Sequence, residues 1–126
     1  MNQVKVGICG LGTVGGGTFN VLKRNASEIA NRVGAQVNVT HICMRSAKPE
    51  YDTDGIKVST DVFDVARDPE IDILIETMGG TTIALDLVLE AIANNKHIVT
   101  ANKALIAEHG NTIFEAANQQ LSLIHI

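Results

Sequence analysis

The feature that most constrains this chain is at its start. A short apolar run, Val4-Lys5-Val6-Gly7-Ile8-Cys9, leads directly into Gly10-Leu11-Gly12-Thr13-Val14-Gly15. Val4, Val6 and Ile8 alternate as strand residues do. After the glycines, Val14, Val21, Leu22, Ile29 and Val33 fall near helical spacing, and Gly34 is placed to end that helix. A strand, a glycine turn and a helix in immediate succession open a βαβ unit. Each glycine has a physical task. Gly10 allows the tight turn off the strand, Gly12 lets the backbone approach a pyrophosphate, and Gly15 lets the helix pack on the sheet. The N–H groups of Thr13 and Val14 start the helix without intrahelical partners, with the positive end of the helix dipole behind them. Residues Gly10, Leu11, Gly12, Thr13, Val14 and Gly15 are therefore read as a dinucleotide phosphate site, the alternative being a glycine-rich turn without a ligand. Gly16 and Gly17 each cost the helix about 1 kcal/mol relative to Ala, so close packing or a role in the site is expected there.

The rest of the chain repeats the alternation of short apolar runs and longer helical ones. Strands are expected at Gln3–Cys9, Gln36–Met44, Ile71–Glu76 and His97–Thr100, with a short extended piece at Ile56–Val58. Helices are expected over Val14–Val33, from a Thr60 or Asp61 cap to just before Pro69, over Thr82–Asn94, and from Lys103 to about Gln119. Arg45 to Gly55, with Pro49, reads as a loop. This order predicts an α/β fold, a Rossmann-type doubly wound parallel sheet of about five strands. Right-handed crossovers bring the loops after the strands to one edge, the edge at which such sheets bind ligands.

Composition narrows the partners. The 126 residues suit one domain. Ten basic and fourteen acidic residues give a net charge of −4, without a Lys/Arg run, and one Tyr and three Phe leave no stacking platform, so no nucleic-acid partner is expected. No signal-peptide pattern and no apolar stretch of about 18 residues is present, so a cytoplasmic protein without a membrane partner is expected. Cys9 and Cys43 lie inside predicted strands and read as reduced core thiols. The four His residues are too dispersed for a metal motif.

Three further segments fall on the ligand edge. The second strand ends Ile42-Cys43-Met44-Arg45-Ser46, without the acid that holds a ribose 2′-hydroxyl. Arg45 matches a 2′-phosphate through bidentate bonds, and Ser46 adds a hydroxyl, so NADP is expected over NAD. A solvated loop arginine is the alternative. Glu76 and Thr77 end the third predicted strand, Thr77 as a cofactor contact and Glu76 as a turn anchor or contact. Thr100-Ala101-Asn102-Lys103 follows the fourth. Thr100 and Lys103 are candidate contacts on the nicotinamide side, while Asn102 as a helix cap followed by an exposed Lys103 is the alternative. Asp72 reads as a solvated strand start.

Taken together, Val6 to Gly17, Asp72-Ile73-Leu74-Ile75-Glu76 with Gly79-Gly80, and Val99-Thr100-Ala101-Asn102-Lys103-Ala104-Leu105 resemble the opening of homoserine dehydrogenases. The likeness runs from residue 3 to about 119, in the family's order and separations. It implies an NAD(P)-dependent oxidoreductase interconverting L-aspartate 4-semialdehyde and L-homoserine, on the branch toward threonine, methionine and isoleucine. It also implies cofactor contacts at Leu11 to Val14, selection of NADP by Arg45, and Lys103 at the boundary of cofactor and active site.

The same resemblance implies that substrate-handling residues and the homo-oligomer contacts lie in a later domain. No catalytic residue is therefore assigned, and little or no turnover is expected from this chain alone. A stand-alone dinucleotide-binding sensor or regulatory module is the alternative function. Residues 1–120 are read as the cofactor domain. Leu121-Ser122-Leu123-Ile124-His125-Ile126 departs from the family pattern and resembles a translated transposon-derived sequencing adapter, so it is expected to be either a non-native tail or a fifth strand.

Overall fold

Alternating burial along the first strand decides how the layers stack. In the computed structural model, which describes residues 2–10, 13–26, 28, 31, 34–44, 53 and 55–125, β1 spans Asn2–Cys9. Val6 and Ile8 point to one face and pack with Phe19 and Ile42. Cys9 points to the other and packs with Cys43, Val65 and Leu74. Both faces are buried, as a parallel sheet between helices requires.

The helix α1, Thr13–Arg24, covers the first face through Phe19 and Leu22. Burying one such side chain is worth about 1.5–3 kcal/mol. The expected extension of this helix to Val33 falls partly on residues outside the described ones. Next come β2, Ala35–Cys43, and β3, Lys57–Ser59, which takes the place of the expected extended piece. The cap of α2, Val62–Arg67, is Asp61 rather than Thr60, its carboxylate accepting from the Phe63 N–H at 3.0 Å. The strand β4 is Ile73–Glu76, two residues shorter at its start than expected. Ile71 N–H closes a turn onto Asp68 O at 3.2 Å, so it is not free for the ladder.

The helix α3, Thr82–Ala93, leads to β5, His97–Thr100, then α4, Lys103–Gln120, and β6, Ile124–His125. Leu87, Val88, Ala91 and Ile92 of α3 and Leu105, Ile113 and Ala117 of α4 are buried against the second face, beside α2. All pairings are parallel, in the order β3-β2-β1-β4-β5-β6. The sheet thus has six strands, the short β3 and β6 included. The chain winds outward from β1 to β3, then restarts at β4 on the opposite side of β1. Loops leaving β1 and β4 therefore diverge, and the crevice between them is the ligand position of such sheets.

One residue of β1 pays for this close layering with its side chain. A Cβ on Gly7 would lie 2.4 Å from Val65 Cγ1 of α2. The sheet register shifts between Val6 and Gly7 at the same point.

Candidate functional site

The site is built from the carboxyl ends of β1, β4 and β5. Gly10 leaves β1 with φ +94°, a conformation that costs residues with a side chain about 1–2 kcal/mol. Its surroundings also exclude a larger residue. A Cβ there would lie 3.1 Å from Met78 Cγ and 3.3 Å from Met78 N. Gly10 N–H donates to Cys43 O at 3.3 Å. On the other side, Thr77 N–H donates to Cys9 O at 3.0 Å, and the Thr77 hydroxyl meets Cys9 O and Gly10 O. The turn is fastened to β2 and β4 at once.

Leu11 and Gly12 lie outside the described residues, as do Arg45 and Ser46. Thr13, Val14 and Gly15 form the first turn of α1. No acidic residue stands in that turn, so the positive end of the helix dipole is not neutralised by its own sequence. Gly17 has nothing within 4 Å of a built Cβ, so close packing is not the reason for a glycine there.

On the β4–β5 side, Thr100 is buried and Lys103 is the exposed first residue of α4. Asn102 caps α4, its Oδ1 accepting from Leu105 N–H at 3.0 Å. Its amide group is used as well, donating to Gly80 O at 2.6 Å and to Glu76 Oε1 at 3.3 Å. The second oxygen of Glu76 accepts from the Thr100 hydroxyl at 3.2 Å, and that hydroxyl accepts from Asn102 N–H at 3.0 Å. Glu76 thus ties the end of β4, the end of β5 and the Gly79-Gly80 turn into one piece. Burial pushes its carboxyl above the ordinary carboxylate range, and the Asn102 and Thr100 hydrogen bonds oppose that rise.

The structure therefore brings Gly10, Thr77 and the start of α1 together, and links the Thr100–Lys103 loop to them through Glu76. Thr77 and Thr100 both spend their hydroxyls on protein partners. Glu76 is the residue that sequence reasoning placed at the edge but left out of the candidate contacts. Its signal was an acid ending the apolar run Ile73 to Ile75, where a solvated carboxylate has no place.

A second polar cluster lies away from this edge. His41 of β2 is buried and bridges Asp68 Oδ2 (2.8 Å from Nδ1) and Ser59 Oγ (2.7 Å from Nε2). Lys57 reaches the same carboxylate at 3.8 Å. The buried Lys96 donates to Asp68 O at 2.6 Å and Ile71 O at 3.0 Å. Cys9 and Cys43 are buried and unpaired by disulfide. Among the described residues, no group of three His, Cys, Asp or Glu is placed to hold a metal ion. No helix among them is long and apolar enough to cross a membrane.

Strand order, a glycine held at positive φ at the switch point, and a helix start without an acid beside it are the features of a dinucleotide-binding domain. Known proteins narrow this. The model of the homoserine dehydrogenase NAD-binding domain matches residues 10–126. The chain is 59% identical over 120 residues to the homoserine dehydrogenase of Pseudomonas aeruginosa, covering 95% of this chain and 28% of that protein. It is 50% identical over 109 residues to that of Methylobacillus glycogenes, covering 85% of this chain and 26% of that protein. The crystal structure of a homoserine dehydrogenase from Thiobacillus denitrificans superposes with a TM-score of 0.92 at 48% identity, over all of this chain and 30% of that one. This chain belongs to the homoserine dehydrogenase family, as its NAD-binding domain. It spans little more than a quarter of the length of the relatives it matches.

Proposed function

We propose that this chain is the cofactor-binding part of an enzyme that interconverts L-aspartate 4-semialdehyde and L-homoserine, with NADP preferred over NAD. The observation that carries the reading is the joined carboxyl edge. The Gly10 turn and the start of α1 on one side, and the Thr100-to-Lys103 loop on the other, meet through Thr77 and Glu76. The turn and helix start suit the pyrophosphate, by backbone N–H groups and helix dipole. When bound, the cofactor supplies or accepts the hydride. Lys103, exposed at the start of α4, offers a cation to the ribose or to the substrate side. Asn102 and Glu76 fix the path of that loop, and the buried Ile98 and Leu105 behind it keep water out of its base.

The NADP preference rests on Arg45 and Ser46 at the end of β2, where no acid stands to hold a ribose 2′-hydroxyl. The residues that position substrate and move its proton belong to the part of the relatives that this chain does not span. On this reading the 126 residues bind cofactor and turn over little or nothing alone. The full-length protein is a cytoplasmic homo-oligomer, and residues 121–126 are a non-native tail or a native strand.

Titration of the chain with NADPH and NADH tests the proposal. NADPH should bind more tightly, and Arg45→Asp should cost about 1–3 kcal/mol of that affinity. Equal or tighter NADH binding would remove the NADP assignment. A rate with aspartate 4-semialdehyde matching a full-length relative would remove the claim of inactivity.

A further inference from the structure

Glu76 is 0% exposed at the end of β4. It is in register with Cys9 on one side and Thr100 on the other, so it sits at the centre of the carboxyl edge. The next residue, Thr77, holds the Gly10 turn, and one of its donors, Asn102, immediately precedes Lys103. Both donors to its carboxylate, the Thr100 hydroxyl and the Asn102 amide, are neutral. Among the described residues no Lys, Arg or His lies within ion-pair distance of it.

A buried carboxylate without a cation is costly. If orientation of Asn102 were the whole task, a neutral amide would accept the same bond without that cost. Cys9, in register with Glu76 on the neighbouring strand, is buried as well, and its thiol is pushed well up by burial, then by Cys43, then by Glu76. In a doubly wound sheet the two halves of a dinucleotide lie on opposite sides of the switch point. With Arg45 assigned to the adenosine side at β2, the nicotinamide half falls on the β4–β5 side, where Glu76 is. That ring carries a positive charge when oxidised and none when reduced.

We propose that Glu76 sets the redox preference of the site, its buried carboxylate favouring the oxidised nicotinamide over the reduced one. The inference rests on the dinucleotide reading above. When bound, the cofactor would supply a hydride to an aldehyde carbon whose oxygen takes up a proton, and the Glu76 carboxylate would favour the positively charged form that results.

The test measures Kd for NADP+ and NADPH separately, for the unchanged chain and for Glu76→Gln. The variant should lose affinity for NADP+ relative to NADPH by about tenfold, as expected for a charge acting in a partly desolvated site. Glu76→Asp, which keeps the charge, should hold the ratio within about threefold of the unchanged chain. A second measurement needs no variant. The Glu76 carboxyl carbon, followed by 13C NMR, should titrate at lower pH in the NADP+ complex than in the NADPH complex, by reciprocity of binding. The groups facing it are the Cys9 thiol from β1, the Thr100 hydroxyl from β5 and the Asn102 amide ahead of α4. An unchanged Kd ratio in Glu76→Gln, or the same carboxyl titration in both complexes, overturns the proposal and leaves Glu76 a structural residue. Failure of the unchanged chain to bind either form overturns the dinucleotide reading itself.

Discussion

Two carboxylates, the half-buried Asp68 and the buried Glu76, lie at opposite ends of β4 and are treated in opposite ways. Asp68, ahead of the strand, is surrounded by compensation. Burial pushes its carboxyl up, but the Glu70 N–H, the His41 ring and the Lys57 ammonium outweigh it and hold the group below the usual carboxylate range. Lys96, buried beside it, donates to two carbonyls of the same turn. Glu76, at the other end, has only neutral donors and is held above that range. One end of the sheet is closed by polar groups that satisfy one another. The other leaves a buried carboxyl with neutral donors alone among the described residues, at the edge where such sheets bind ligands. A raised carboxyl at the edge where such sheets bind ligands is the pattern expected of a functional group.

The contrast can be broken from either end. The largest stability effect is expected at Asp68. Asp68→Ala leaves His41 buried beside a lost partner and should destabilise the chain by about 3 kcal/mol, read from urea unfolding at neutral pH. The cofactor affinity of the folded fraction should not move. The pH dependence follows from the lowered pKa. The contribution of Asp68 is complete above the unfolded-state value of about 3.9 and is lost as pH falls from there through the folded value. The gap between Asp68→Ala and the unchanged chain should therefore close in acid. A gap that persists there would mean that Asp68 acts through packing rather than charge.

Gly10→Ala comes next. The left-handed φ and the contacts with Met78 should cost about 2 kcal/mol of stability. Unlike Asp68→Ala, it should also weaken NADPH binding when both are titrated, because the turn belongs to the ligand edge. A loss of stability without a loss of affinity would detach Gly10 from the site. The smallest effect is expected at Gly17. A methyl group there meets nothing within 4 Å, so Gly17→Ala should raise stability by about 0.5–1 kcal/mol, seen as a higher Tm. If it weakens cofactor binding instead, the glycine is kept for the ligand and not for the helix.

Much of this was legible in the sequence because it depends on neighbours along the chain. The β1–turn–helix unit, β5 at His97–Thr100 and the Asn102 cap ahead of α4 are set by alternation, glycine placement and a side chain reaching its own backbone. The Asp61 cap was legible only as a choice of two residues. The start of β4 was misjudged by two residues, because the turn at Asp68 that claims the Ile71 N–H is closed by contacts with β2, β3 and Lys96. Of the two reasons the sequence offers for Gly17, close packing or a role in the site, packing finds nothing opposite it among the described residues, because packing is a property of what lies opposite in space.

The sequence by itself determined the parallel α/β fold, its carboxyl edge and the glycine turn that leaves β1, because local periodicity and backbone freedom suffice for those. Only the tertiary structure decided what each polar residue does. Strand order sets Glu76 between Cys9 and Thr100, where it is fully buried and where no cation among the described residues answers it. Asp68, an acid of similar chemistry only a few residues away, meets a histidine and two lysines brought from distant parts of the chain. Charge, burial and partner are relations in space, and it is those relations that separate a carboxylate that holds the fold from one facing the cofactor edge.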